Sequence, residues 1–253
     1  MKTLLNWSYG LGAYLAGFVA LLYFVGFSVG VLTPVNVDRA GTVSPGWAWL
    51  VDLVIVACFG LQHSVMARPG FKAWMTRHVP AHLERSTYLL ATSLVLGMLI
   101  AFWQPLTGHL WKVEDGWLAN TLTGVALGGW GLVLLTTFLI NHADLFGLRQ
   151  IYLHARGLPY TPVAFKAPAL YRWVRHPMQL GVLIGLWSTG AMTVGHMLLA
   201  GGMTAYVLIG LMYEERDLVR QFGERYRAYQ RSTPKLIPFG RTKARKVMAL
   251  LDD

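Results

Sequence analysis

Long apolar runs alternate with short polar segments along this chain. Four runs come close to the ~20 residues that a helix needs to cross the hydrocarbon of a bilayer: Tyr9–Leu32, Trp47–Met66, Thr87–Trp103 and Trp117–Ile140. A fifth apolar region, Met178–Tyr213, is too long for one such helix and barely long enough for two. Because the Gly190 to His196 segment offers a break, the pattern predicts a tight hairpin of two short helices there.

The composition supports this pattern. Hydrophobic residues make up 55% of the 253 residues and charged residues only 13%, against roughly 25% charge in soluble domains. Such a chain is neither disordered nor a coiled coil. A single cysteine, Cys58, excludes an internal disulfide framework and a cysteine-based zinc site. We therefore predict an all-α integral membrane protein with four long transmembrane helices and a C-terminal helical hairpin, which gives five to six spans.

The basic residues predict the orientation of the spans. Of the 22 lysines and arginines, all but Arg39 and Lys112 fall on one side of the predicted bundle. By the positive-inside rule, both termini are expected to be cytoplasmic. The net charge of +10 therefore reflects the basic residues that set the topology, and we expect these residues to form a surface that contacts anionic membrane lipid. Nucleic-acid binding is not expected, because the chain has no soluble basic domain to carry it.

Most polar residues that could perform chemistry lie on the same, cytoplasmic side. We expect residues 1–140 to form a transmembrane helical bundle. Residues 141–253 should supply a cytoplasmic loop, the helical hairpin and a tail that together form a cofactor pocket. The histidines do not stand at a metal-ligand spacing, so no metal is expected. The sequence does not indicate an oligomeric state.

One informative block enters the hairpin and contains Arg175, His176, Pro177 and Gly181. Pro177 biases His176 away from the helical conformation, so the chain should enter the membrane through a fixed extended kink. The free amides of the helix that follows, together with Arg175, could hold an anionic group. Gly181 would let another group approach the backbone closely. The alternative is a basic membrane anchor followed by a helix-starting proline.

A second block leaves the hairpin and contains Glu214, Glu215, Tyr226 and Tyr229. Two adjacent carboxylates at the end of an apolar helix are costly unless they have partners. A hairpin would place them beside the residues that enter it, and the resulting ring of side chains could hold a zwitterionic cofactor. The alternative is simple ion pairing of the two glutamates with Arg172, Arg175 or Arg216.

The two blocks together resemble the C-terminal region of integral-membrane methyltransferases, which include isoprenylcysteine carboxyl methyltransferases and phospholipid N-methyltransferases. The shared pattern is Arg-His-Pro, a glycine four residues on, a helical hairpin, a Glu-Glu pair, then Phe-Gly and spaced tyrosines, over about 171–238. The resemblance implies that Arg175, His176, Pro177, Gly181, Glu214, Glu215, Tyr226 and Tyr229 bind S-adenosylmethionine. This chain departs from the pattern at Gln179, where many relatives have tyrosine.

Three upstream blocks narrow the resemblance. Gln62–Pro69 closes the second span, Glu84–Tyr88 opens the third, and Asn141–Gln150 closes the fourth, all at the cytoplasmic level. This set is similar to the bacterial methanethiol S-methyltransferases, relatives of the NnrU-like membrane proteins. The resemblance implies transfer of a methyl group from S-adenosylmethionine to methanethiol, a small-molecule thiol substrate, giving dimethyl sulfide.

A small thiol is a poor nucleophile until it is deprotonated, so a base near its sulfur would help. The candidate catalytic residues are His142, Asp144 and His63, with His154 as a further base and Arg149 as a partner of Asp144 or of a donor carboxylate. Asn141, Gln150 and Gln62 are the candidate substrate-binding residues. The alternatives are structural: His63 as a satisfied helix-end histidine, and Asn141 and Asp144 as caps.

Other functions stay open at this point. A methyltransferase of the same architecture could act on a lipid-like thiol, carboxylate or amine. Membrane sterol reductases resemble the C-terminal pattern but bind a nicotinamide cofactor. A membrane carrier without catalytic activity is a third alternative.

Overall fold

The computed structural model describes residues 2–39 and 44–238. Within this part of the chain, five helices are long and apolar enough to cross a membrane, which confirms the predicted all-α integral membrane protein. They are Thr3–Val29, Pro45–Met66, Ala81–Phe102, Gly116–Ile140 and Val194–Phe222. The last fifteen residues of the predicted tail, 239–253, lie outside the described residues.

Shorter helices and two strands connect these spans. In chain order the elements are α1 (Lys2–Val29), α2 (Pro45–Met66), α3 (Pro69–Met75), α4 (Glu84–Phe102), β1 (His109–Lys112), α5 (Gly116–Ile140), α6 (His142–Leu145), α7 (Leu148–Ala155), α8 (Pro177–Trp187), β2 (Ala191–Thr193), α9 (Val194–Phe222) and α10 (Glu224–Ser232). Single 3₁₀ turns occur at Ala81–Leu83 and Ala169–Arg172.

The two arms of the C-terminal hairpin differ in length, whereas the apolar pattern predicts two short helices. α8 has 11 residues and α9 has 29, so α8 covers only about 16 Å, roughly half of the hydrocarbon thickness. The predicted break near Gly190 is present: α8 ends at Trp187, and the Thr193 hydroxyl caps α9 by accepting from the His196 amide at 3.0 Å. α9 is longer than predicted because it continues past Tyr213 with polar residues.

A two-stranded antiparallel sheet lies at the end of the bundle opposite the candidate site residues. β1 pairs with β2 in a register that sets His109 opposite Thr193 and Lys112 opposite Ala191. The buried His196 supports this end, since its Nε2 is 2.9 Å from the Leu186 carbonyl oxygen and its Nδ1 3.4 Å from an Asp38 carboxylate oxygen. The sequence pattern did not predict this sheet.

Glycines bring α5 and α8 into direct backbone contact. A Cβ on Gly129 would lie 2.7 Å from the carbonyl oxygen of Gly181, and a Cβ on Gly181 would lie 2.6 Å from the carbonyl oxygen of Gly129. The neighbouring Gly128 makes no such contact and faces open space. The close approach expected at Gly181 is thus made by a neighbouring helix.

We expect Gly129→Ala to lower the free energy of unfolding by about 1–3 kcal/mol, because the added methyl must push α5 away from α8. The matched control is Gly128→Ala, one residue along the same helix, where no heavy atom lies within 4 Å of the added Cβ. Thermal unfolding of the purified proteins in detergent measures both. Equal midpoints for the two variants would contradict the packing argument.

Candidate active site

A cavity of about 330 Å³, called the chamber below, lies among α1, α2, α4, α5, α8 and α9. Its walls are mostly apolar and aromatic, and they include Phe24, Phe59 and Trp130. The polar side chains that line it are few: His63, Arg85, Tyr88, Ser93, Thr92, Thr137, Gln179 and Tyr206. A mostly apolar cavity with a few polar groups is typical of a site for a small ligand.

His63 lies in the chamber wall inside an aromatic cage. Its ring centroid is 5.1 Å from that of Tyr88 and 5.5 Å from that of Phe59. Nδ1 is 3.4 Å from the Thr92 hydroxyl, and Nε2 has no hydrogen-bond partner among the described residues. Gln62 does not line the chamber; its Nε2 contacts the Met66 sulfur at 3.1 Å, and its buried Oε1 has no partner within the described chain.

His142 stands behind the chamber wall with both ring nitrogens occupied. Nδ1 is 2.7 Å from the Thr137 hydroxyl and Nε2 is 3.1 Å from the Tyr14 hydroxyl. The ring stacks on Phe138 at 4.1 Å between centroids. Burial lowers the pKa of His142. The structure thus gives His142 a place in the packing against α1.

Asp144 does not line the chamber but lies in a separate cluster of polar contacts. One carboxylate oxygen accepts from Arg149 at 2.8 Å, and the other is 3.4 Å from the Tyr160 hydroxyl, whose pKa is raised by burial and by the Asp144 charge. Asn141 caps the Asp144 amide at 3.0 Å, and Gln150 donates to the Asp144 carbonyl oxygen at 3.1 Å. These contacts match the structural alternative of caps and an ion pair.

Arg175 and Glu215 form the best-partnered ion pair among the candidate site residues. Arg175 Nε and Nη2 each lie 2.7 Å from Glu215 Oε1, and His176 Nε2 lies 3.0 Å from the same oxygen. Arg175 also donates to the carbonyl oxygens of Gln230 and Thr233. The guanidinium therefore has all its partners inside the protein, which corresponds to the ion-pair alternative.

The adjacent Glu214 differs from Glu215. Its side chain makes no hydrogen bond or ion pair with any described residue, although it lies within electrostatic range of His176 and Arg68. Burial and the Glu214 charge together raise the pKa of Tyr171. Because neighbouring residues on a helix point in directions about 100° apart, Glu215 faces Arg175 and Glu214 points away from it.

The two tyrosines of α10 pack against the loop that precedes α8. Tyr229 donates to the Tyr171 carbonyl oxygen at 2.5 Å, and the rings of Tyr226 and Tyr229 surround Phe165. Burial raises the pKa of both phenols. Pro177 begins α8 as predicted. The Tyr226 hydroxyl is buried without a partner in the described chain.

A second cavity of about 510 Å³, called the polar cavity below, lies at the same end of the molecule. α3, the start of α4, α7 and the following loop form it. Its charged or polar lining residues include Lys72, His82, Glu84, Arg85, Gln150 and Tyr160. Arg85 lines both this cavity and the chamber. No individual role for Glu84 or Arg85 was predicted from the sequence. Their position at the cytoplasmic start of the third span, beside the other candidate blocks, could have indicated one.

Comparisons with known proteins show the family to which the chain belongs. The family model described as NnrU protein matches residues 53–250. The chain is 46% identical to the methanethiol S-methyltransferase of Mycobacterium tuberculosis, covering 94% of this chain and 98% of the relative. It is 45% identical to methanethiol S-methyltransferase 1 of Bradyrhizobium diazoefficiens, covering 92% and 82%. Nurim of Sus scrofa is 31% identical over 68% of this chain and 67% of the relative. No solved structure matches.

Proposed function

Because the chain belongs to the NnrU family, we propose that it is a methyltransferase that methylates methanethiol to dimethyl sulfide, with S-adenosylmethionine as the methyl donor. The observation that carries the proposal is identity of 42–46% to methanethiol S-methyltransferases over nearly the whole chain. The apolar chamber of about 330 Å³ suits a small apolar thiol.

The reaction is an in-line displacement at one carbon. The thiol sulfur forms a bond to the methyl carbon, the bond from that carbon to the donor sulfonium breaks, and its electron pair stays on the sulfur of S-adenosylhomocysteine. The thiol proton leaves to a base. The protein contributes mainly by holding nucleophile and methyl group within ~3–3.5 Å in line. No group of three or more histidines, cysteines or acidic residues able to hold a metal occurs in the described ranges.

We assign the base to His63, because it lines the chamber and its Nε2 has no partner among the residues described. Glu214 fits the sulfonium of the donor, since a carboxylate stabilises a nearby positive charge. Arg175 and Glu215 hold the entry of α8 against α10, and so position His176 and Glu214. The residues of the chamber come from both 1–140 and 141–253, so the active site joins these two predicted parts.

The proposed function predicts that purified protein given S-adenosylmethionine and methanethiol forms dimethyl sulfide and S-adenosylhomocysteine in a one-to-one ratio. Gas chromatography of the headspace and liquid chromatography of the solution measure the two products. A heat-inactivated sample is the control. Methylation of a lipid-like thiol, carboxylate or amine with no dimethyl sulfide would contradict the substrate, and binding of NADPH in place of S-adenosylhomocysteine would contradict the reaction class.

We further propose that the protein lies in the bacterial inner membrane with both termini and the active site on the cytoplasmic side. The support is the basic asymmetry of the sequence. In a Cys58→Ala background, Glu114→Cys on the exposed loop before α5 should react with a membrane-impermeant maleimide in intact cells. Arg77→Cys, exposed at the opposite end, should react only after lysis. The reverse labelling pattern would overturn the orientation.

A further inference from the structure

Two cations line the polar cavity. Lys72 and Arg85 both line it, and neither makes a hydrogen bond or ion pair through its side chain with another described residue. Other arginines at this end are neutralised: Arg68 by Asp217 at 2.9 Å, Arg149 by Asp144 at 2.8 Å, and Arg175 by Glu215 at 2.7 Å. Burial and the Arg85 charge lower the pKa of Lys72. An anion between the two cations would relieve this repulsion.

The same cavity contains acceptors that lack donors. Glu84 Oε1 and Gln150 Oε1 are buried and have no partner among the described residues. Gln150 is only 8% exposed, and its amide nitrogen is already engaged by the Asp144 carbonyl oxygen. A buried acceptor without a partner costs about 1–3 kcal/mol. A ligand that fits this cavity therefore carries hydrogen-bond donors as well as a negative charge.

A small zwitterion meets both requirements, and an α-amino acid group carries an ammonium and a carboxylate on one carbon. Glycerophosphoethanolamine headgroups also combine an ammonium with an anion. The position of Arg85 decides between these sources, because this residue lines the polar cavity and the chamber. A group held at Arg85 is thus adjacent to the space where the thiol reacts. The methyl donor of the proposed reaction carries an α-amino acid group at one end.

We propose that the polar cavity binds the amino-acid end of the methyl donor, with its carboxylate on Lys72 and Arg85 and its ammonium on Glu84 and Gln150. This inference rests on the proposed function and deepens it. It places the donor carboxylate away from Arg175, whose guanidinium is already occupied by Glu215 and two carbonyl oxygens. With the amino-acid end held there, the sulfonium and its methyl group extend into the chamber, toward His63.

The test compares two ligands that differ only at the amino-acid end. Isothermal titration of detergent-purified protein uses S-adenosylhomocysteine and 5′-methylthioadenosine, which lacks the amino acid. Arg85→Leu and Glu84→Gln should each weaken S-adenosylhomocysteine binding about 10- to 100-fold, the range for a lost hydrogen bond to a charged group. Binding of 5′-methylthioadenosine should stay unchanged, which also shows that the variants are folded. Arg85→Lys should recover part of the loss.

Arg77→Leu is the matched control, since Arg77 is an exposed cation of the same segment that does not line the cavity. Wild-type affinity for S-adenosylhomocysteine in both cavity variants, or equal losses for both ligands, would overturn this inference alone. Glycerophosphoethanolamine binding that the same substitutions weaken, with S-adenosylhomocysteine unaffected, would also overturn it and assign the cavity to a lipid headgroup. No S-adenosylhomocysteine binding to the wild type would overturn the proposed donor itself.

Discussion

His63→Asn is expected to lower the turnover of methanethiol by about 10²–10⁴-fold, the usual loss when a general base is removed. His63 is favoured over the other candidate bases by its surroundings. His142 has both ring nitrogens in hydrogen bonds, Asp144 is paired with Arg149, and His154 stacks on His82 at 3.6 Å, facing the polar cavity. His63 alone of these four lines the chamber.

The pH dependence of the loss separates a base from a packing residue. As the pH rises toward the pKa of the thiol, free thiolate accumulates and needs no base, so the defect of His63→Asn should shrink. Initial rates of dimethyl sulfide formation, followed from about pH 6 to about pH 10, measure how the defect changes. This range spans the pH at which thiols ionise. A defect of constant size across this range would mean that His63 only shapes the chamber.

Control variants for this prediction come from the other histidines. His78→Asn should keep near wild-type turnover, because this exposed residue lines neither the chamber nor the polar cavity. His142→Asn should unsettle the packing against Tyr14 and Phe138 and so lower thermal stability before it changes the pH profile. If His142→Asn instead showed a defect that vanishes at high pH, the base would be His142, as the sequence interpretation allowed.

The spans could be predicted because they depend on hydropathy alone. A stretch of about 20 apolar residues has few structural options in a bilayer. Each of the four predicted runs overlaps one helix, and at least one end of the run lies within a few residues of the helix end. α3, α6 and α7 could not be predicted in this way. They are short, and a helix of one or two turns is too brief to show a clear apolar period in the sequence. α6, for example, begins at the Asn141 cap on the Asp144 amide.

The sequence indicates which end of the bundle holds the candidate site residues, but it does not indicate which residues contact one another. The sequence blocks around His63, Glu84, Asn141 and Arg175 do converge at one end of the bundle. Which partner a charged side chain contacts depends on where that side chain points in the fold, and the spacing of residues in the sequence does not determine this. The sequence offered Arg175 as a ligand for an anion or as an ion-pair partner of the two glutamates. In the structure Arg175 contacts Glu215, whereas the side chains of Arg85 and Lys72 have no partner among the described residues.

Glu215→Met should destabilise the protein by about 3–5 kcal/mol, the cost of leaving one partner of a buried ion pair uncompensated. The Arg175 and Glu215 side chains are only 10% and 11% exposed, and Glu215 also contacts His176 at 3.0 Å and Lys235 at 3.5 Å. Through Arg175 this carboxylate holds the carbonyl oxygens of Gln230 and Thr233, which end α10. Its loss should therefore loosen α10 before the transmembrane helices unfold.

Limited proteolysis and thermal unfolding together measure this effect. Cleavage within 224–238 should accelerate in Glu215→Met, while the adjacent Glu214→Gln, which removes no hydrogen bond or ion pair of the described chain, should retain the wild-type pattern. Replacing both partners with Arg175→Met and Glu215→Met should recover much of the stability, because neither charge is then buried alone. A double variant no more stable than Glu215→Met would show that His176 and Lys235, rather than Arg175, depend on this carboxylate. α10 would then be anchored chiefly by the packing of Tyr226 and Tyr229 around Phe165.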